Sequence, residues 1–417
     1  MQPRWFCQRG FLLIEMYGRT RLRSSVTRPV GREVPLLVYL LSALFAIAAV
    51  TAAELVPAIG RREANALWAV AFIALVVPAA LRYDIGVDYS ATMESSGYLG
   101  YWQLYHLYAT EPPALGMDPG FYLLIRLLNL FTDNPQWMFA AMSAATYALV
   151  LRACRRVSPA PVLSVALFIV AGFYFETYNI ARQWFAISCV LNGLEWVGNE
   201  DREDPTAARH AFLHYALWVL LGASMHLSCL MWLVLWPLLR VRMTPIRAVV
   251  SLVAVIALAF VGVHVAQLLF SGTRFGLYLD PSSSVYVGPE PRLNAIVTSG
   301  ITWAFALLAS RLADRPLGRI ASALLTCATL AFALNVSAAF LPFIIDRVAR
   351  YFSPMLILLM PLAVSWMGDK HLRRACVAVI LAAWIAATYV QVVAGGQYGV
   401  VPYQSVFDER AVEGILS

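Results

Sequence analysis

Long apolar runs broken by short polar connections fill the chain from residue 36 to residue 393. They lie near 36–53, 64–81, 135–151, 161–175, 180–197, 211–225, 228–239, 248–270, 293–309, 320–341, 351–366 and 375–393. Each run is continuously apolar, as a helix crossing a bilayer requires, whereas a membrane β-barrel would alternate apolar and polar positions. Runs that open at proline, as at Pro135 and Pro161, suit the first turn of a helix. The stretch 119–131 is shorter and carries Arg126, so it reads as re-entrant or interfacial. No internal repeat, heptad array or low-complexity linker interrupts the pattern. The pattern predicts an all-α, polytopic integral membrane protein with about 12–13 transmembrane helices.

Composition sharpens this reading. Hydrophobic residues make up 60% of 417 and charged residues 13%, against roughly 45–50% and ~25% in soluble domains. A sizeable extramembrane enzyme domain is excluded, because no polar stretch long enough to build one remains. The net charge is +7, with Lys370 the only lysine. Arginines in short loops orient a membrane chain, so no nucleic-acid partner is expected. Cys7, Cys154, Cys189, Cys229, Cys327 and Cys376 show no CxxC spacing and read as small core residues. The first thirty residues lack an apolar core of the kind a cleavable signal peptide needs.

Arg152/Arg155/Arg156, Arg240/Arg242/Arg247, Arg311/Arg315/Arg319 and Lys370/Arg373/Arg374 share one side, assigned to the cytoplasm. Upstream the rule conflicts with itself. Both the tail Arg4 to Arg32 and the pair Arg61-Arg62 favour the inside, yet a single span separates them. If 119–131 crosses, the tail is inside; if it does not, the loop 82–134 lies outside. The division expected is a basic extension over 1–35, one transmembrane domain over 36–393 with external loop 82–134, and a C-terminal tail over 394–417.

Arg182, Arg347 and Arg350 then lie at span ends on the external face, where orientation does not require charge, and Arg274 and Arg292 lie in an external loop. Ionisable groups at such depth often line functional cavities. Guanidinium offers forked donors to an anion such as phosphate. Four groupings carry candidate chemistry. Arg82, Asp84 and Asp88 surround Gly86, followed by Glu94 and the aromatics Tyr98, Tyr101, Trp102, Tyr105 and Tyr108. These carboxylates can accept hydroxyl protons or simply pair with Arg82, and the aromatics suit an interfacial belt better than a sugar platform. Glu176, Asn179, Arg182 and Gln183 open a span; the structural alternative there is a Glu176–Arg182 pair. His226 and Ser228 mark a turn where an imidazole can accept a proton. Asp346, Arg347, Arg350 and Tyr351 form the last group, with Asp346 and Arg350 spaced to pair and Arg347 left over. The Asp84/Asp88 spacing is weak evidence for a metal, and neither a metal nor a cofactor is expected.

In their order these groups resemble the EpsG family of exopolysaccharide-biosynthesis membrane proteins, which are Wzy-like polysaccharide polymerases. The matching elements are RYDIGVDY (82–89), Asp118-Pro119-Gly120-Phe121, Asn179-Ile180-Ala181-Arg182-Gln183, His226-Leu227-Ser228, Arg347-Val348-Ala349-Arg350-Tyr351 and Val401-Pro402-Tyr403. Asp118 stands where glutamate is commoner. The resemblance implies a glycosyltransferase joining undecaprenyl-diphosphate-linked oligosaccharides at the outer face of a bacterial cytoplasmic (inner) membrane. It implies a GT-C-like architecture as one option, and a flippase and a chain-length regulator as partners besides membrane lipid. Asp84, Asp88 and His226 are the implied catalytic candidates. Arg82, Arg182, Arg347 and Arg350 would bind the lipid diphosphate, supported by Asn179, Gln183 and Tyr351. An O-antigen-ligase-like or other lipid-sugar-dependent glycosyltransferase is the first alternative, and a lipid-linked-sugar transporter the second.

Overall fold

A computed structural model describes residues 36–408, apart from 91–98, 114–116, 199–204, 272, 284–285 and 314–315. The basic extension with Cys7, and also Glu94, Tyr98 and Arg315, lie outside the described residues, as does the side chain of Arg274.

The helices in chain order are α1 (Leu37–Leu55), α2 (Arg61–Ala80), α3 (Tyr101–Thr110), α4 (Pro119–Leu128), α5 (Gln136–Val157) and α6 (Pro161–Val170). They continue with α7 (Phe173–Glu176), α8 (Ala181–Gly198), α9 (Pro205–Met225), α10 (Met231–Leu239), α11 (Pro245–Phe270) and α12 (Arg274–Leu277). The last are α13 (Leu293–Arg311), α14 (Arg319–Ala338), α15 (Ile344–Ala349), α16 (Leu356–Ser365) and α17 (Lys370–Thr388). Among the described residues the β pairing is a single bridge between Arg82 and Ser405. Among the described residues eight helical stretches are long and apolar enough to cross a membrane. Several other apolar runs form shorter pieces, at α4, at α6 and over Leu227–Leu239. The protein is thus an all-α, multi-pass membrane protein.

Burial is uneven across these helices, which locates the core. α14 is 78% buried over its apolar window, whereas α11 and the stretch Lys370–Ala394 are 11% buried and present leucine and valine outward. Such surfaces suit lipid, which is as apolar as the side chains themselves.

Contacts at the helix ends resolve the conflict over sidedness. Arg155 donates to Asn65 at 2.8 Å and covers Trp68, so the start of α2 and the end of α5 share a face. At the other end, Gln136 Nε2 donates to the Arg82 carbonyl at 2.9 Å. The segment 82–134 therefore leaves and returns on one face, and α4 does not cross. The Tyr39 hydroxyl donates to Val400 at 2.8 Å, which puts the start of α1 on that same face. The arginine loops gather on the opposite face, where Met243 meets Ser322 and Arg152 and Arg156 meet Glu195.

The segment expected as a C-terminal tail packs back onto the fold. Tyr83 N–H donates to Gln404, Gly86 N–H to Gly399, and Val406 N–H to Leu81, at 3.0, 3.1 and 2.9 Å. This strap over 398–406 and the loop 82–90 form one unit.

Candidate functional site

The site begins at Asp118. Pro119 fixes the first turn of α4, and aspartate before it would ordinarily cap the helix, yet this side chain makes no capping bond. It turns instead toward α8 and α9. Asp118 Oδ2 accepts from Arg182 Nη1 at 2.7 Å, and Oδ1 accepts from Leu227 N–H at 3.0 Å. His226 Nδ1 lies 3.8 Å from Oδ2. Gly120 makes this approach possible, because a Cβ there would fall 2.6 Å from Ser224 Oγ and 2.9 Å from the Ser224 carbonyl. The rings of Phe121 and Tyr101 pack on the Arg182 guanidinium at 5.1 and 5.7 Å.

The electrostatics separate the two titratable partners. Burial alone would raise the Asp118 carboxyl, but His226, the Arg182 charge and the Leu227 amide outweigh it and hold the group below its ordinary range. The half-buried His226 is shifted down, chiefly by burial, with the charges of Arg182 and Arg347 pushing the same way against Asp118. The imidazole is therefore neutral at neutral pH and able to accept a proton.

Arg347 belongs with this cluster. Its carbonyl accepts from Gln183 Nε2 at 2.8 Å, which ties α15 to the start of α8, and its guanidinium covers Phe343 at 5.3 Å. Among the described residues no acid pairs with Arg347. Tyr351 lies beside His226, ring centroids 6.2 Å apart, and its hydroxyl meets Ser228 Oγ at 3.0 Å.

Other expected residues sit elsewhere. Glu176 pairs with Arg350 at 2.7 Å, not with Arg182, whose partner is Asp118. Arg350 also meets Asp346 at 2.8 Å, the i, i+4 pair expected from spacing, so two acids neutralise it. Asp346 meets Arg292 at 3.4 Å. Arg82, implied as a ligand of the lipid diphosphate, is 1% exposed. Its guanidinium lies between Phe139 and Tyr178, 4.7 Å from each centroid, and Nε and Nη1 have no hydrogen-bond partner among the described residues. Cation–π attraction is what holds a cation in such a place.

Asp84 is exposed, with φ of 49°, and its Oδ1 accepts from Ser90 Oγ at 2.6 Å. Asp88 is half-buried, and its carbonyl accepts from Tyr101 N–H at 2.9 Å. The Tyr101 hydroxyl in turn accepts from Arg182 N–H at 3.2 Å, which links the loop to the Asp118 cluster. Asn179 organises the loop: its Oδ1 accepts from Val87 N–H at 2.6 Å and its Nδ2 donates to Tyr398 at 3.2 Å. Gly86 adopts φ of +100°, and a Cβ there would lie 2.8 Å from the Tyr178 carbonyl. The aromatics of α3 form neither a belt nor an open platform. Tyr101, Tyr105 and Tyr108, spaced i, i+4, i+7, turn inward, with Tyr101 and Tyr108 edge-on to Phe121.

Asp118 itself was missing from the expected site residues, although its Asp-Pro-Gly-Phe run was the available signal. The arrangement can hold an anion between Arg182 and Arg347 and take a proton on His226. Among the described residues no three of His, Cys, Asp or Glu converge to hold a metal.

A family model described as the EpsG family matches residues 65–405. No curated protein and no solved structure matches the chain, so the GT-C-like expectation draws no support from a known fold.

Proposed function

The chain belongs to the EpsG family, membrane proteins of exopolysaccharide biosynthesis, and on that premise we propose that it is a polysaccharide polymerase. Its substrates are oligosaccharide repeat units carried on undecaprenyl diphosphate. The reaction runs at the outer face of the cytoplasmic membrane, the face opposite the arginine loops. The single observation that carries this reading is the Asp118–Arg182–His226 cluster with Arg347 beside it.

An acceptor hydroxyl oxygen attacks the anomeric carbon of the donor chain and forms the new glycosidic bond. The bond from that carbon to the diphosphate oxygen breaks, and undecaprenyl diphosphate leaves with the electron pair. The hydroxyl proton passes to His226. Nδ1 is the nitrogen facing Asp118, which leaves Nε2 for that transfer. Arg182 and Arg347 stand against one ionised acid, Asp118, so one positive charge is in excess for the leaving group. Fixed cations at low dielectric are worth most where charge develops. Asp84 and Asp88 remain proton acceptors of second rank, because Asp84 is exposed and committed to Ser90. Arg82 and Arg350 support the site by holding its walls. The expected flippase and chain-length regulator would deliver units and limit chain growth.

Reconstituted protein given purified lipid-linked repeat units tests the proposal. A ladder of lengthened lipid-linked products is expected. Transfer of single chains to a different acceptor would replace the polymerase with a ligase, and translocation without bond formation would make it a transporter.

A further inference from the structure

A cavity lies between α7, α13, α14, α15 and the chain from α17 onward. Its charged wall is Glu176, Asp346, Arg292 and Arg350, two acids against two arginines already paired at 2.7 to 3.4 Å. The charges cancel, so an anion gains nothing there that it would not gain in water. The rest of the lining is of a different kind. Asn335 is 6% exposed, yet its amide bonds to no described group and lines the cavity. Gln391 and Gln397 line the same space, and their side chains likewise bond to no described group. Trp384 supplies an aromatic wall, and Thr298 a hydroxyl. An amide that opens into a cavity offers both a donor and an acceptor to the hydroxyls of a ligand. Neutral charge, amides, carboxylate oxygens and an aromatic face together match a polyhydroxylated ring. The internal volume is about 90 Å³, where a single water needs roughly 10–15 Å³, so the end of a chain enters and no more.

We infer that this cavity, with Asn335, Gln391 and Gln397 opposite the Glu176–Arg350–Asp346 wall, receives the neutral terminal sugar of the acceptor. The inference rests on the polymerase reading. It divides the two substrates by charge: the diphosphate of the donor goes to Arg182 and Arg347, and the uncharged sugar end of the acceptor goes to the cavity. Glu176 and Arg350 stand in the wall of the cavity, and Trp184, two residues after Arg182, donates to Glu176 at 3.1 Å. That adjacency on α7 and α8 brings a seated sugar up to the anion cluster.

The test uses the full-length protein purified in detergent and measures alkylation of single added cysteines over the background of the parent chain. Ala295→Cys, in the lining but outside the proposed binding amides, reports on the cavity, and Ser228→Cys on the Asp118 cluster. The probes are an equimolar mixture of glucose, galactose, mannose and N-acetylglucosamine, and separately inorganic pyrophosphate. The sugars should slow alkylation at Ala295→Cys by about threefold at twice their dissociation constant, and pyrophosphate should leave that rate unchanged. Adding Asn335→Leu should abolish the sugar effect while the rate without sugar stays as it was. Asn335→Asp, which keeps the shape and an acceptor, should retain part of it and serves as the folding control. Protection of Ala295→Cys by pyrophosphate, or none by the sugars up to their solubility limit, would overturn the inference. If pyrophosphate fails to protect Ser228→Cys while sugars still protect Ala295→Cys, the donor site falls and the sugar cavity stands.

Discussion

Two arginines three residues apart carry opposite roles. Among the described residues Arg347 pairs with no acid, whereas Arg350 lies between Glu176 and Asp346 with its side chain 12% exposed. Breaking a buried ion pair by removing one partner costs about 3–5 kcal/mol, so Arg350→Ala should lower the amount of folded protein in the membrane, read by immunoblot and thermal aggregation. Arg347→Ala removes a charged hydrogen bond to the ligand, worth about 1.5–3 kcal/mol, so polymerisation should fall roughly 10- to 150-fold at unchanged abundance. A well-folded, fully active Arg347→Ala protein would remove this residue from the donor site. His226 makes a prediction in pH. Its shift is downward, so the base form persists below the ordinary histidine value of about 6.5. Polymerisation measured from pH 8 to pH 5 should therefore hold steady through that value and fall on a limb below it. His226→Gln should cost about 10²–10⁴-fold and flatten the limb. A limb centred above pH 7 would contradict a neutral, buried imidazole.

At the scale of elements, two short glycine-dependent contacts set the site. Gly120 lets α4 touch α9 so that Asp118 reaches the Leu227 amide, and Gly86 lets the 82–90 loop lie on the Tyr178 carbonyl. Gly120→Ala should push α4 outward, because the added Cβ would fall 2.9 Å from the Ser224 carbonyl. The expected result is a protein that inserts normally yet loses most activity, with faster hydrogen exchange at the start of α4. Normal exchange and activity would mean that Ser224 can give way. These contacts explain what could be read in advance. The apolar runs, the order of the polar motifs and the Asp346–Arg350 pair are local in sequence and were legible. The exchange of partners between Glu176 and Asp118 was not, because 64 positions separate Arg182 from Asp118 and 174 separate Arg350 from Glu176. The burial of Arg82 was illegible for a related reason: Phe139 and Tyr178, between which it lies, are far along the chain.

For the molecule as a whole, polarity divides between two faces: arginine-rich loops on one, and the charge clusters, the loop 82–90 and the strap 398–406 on the other. In intact spheroplasts, Ser90→Cys and Leu37→Cys should react with an impermeant thiol reagent, and His371→Cys should react only after lysis. Labelling of His371→Cys alone in intact cells would reverse the orientation. The strap adds a dimension of time. Helices enter the membrane in the order in which they are synthesised, and loop 82–90 is made early, yet its backbone partners Gly399 and Gln404 follow only after the last long span of the described residues. Loop 82–90 must wait, unlatched, until the strap over 398–406 has followed. A nascent chain stalled short of residue 398 would hold all eight long spans of the described residues and still lack the strap that latches loop 82–90.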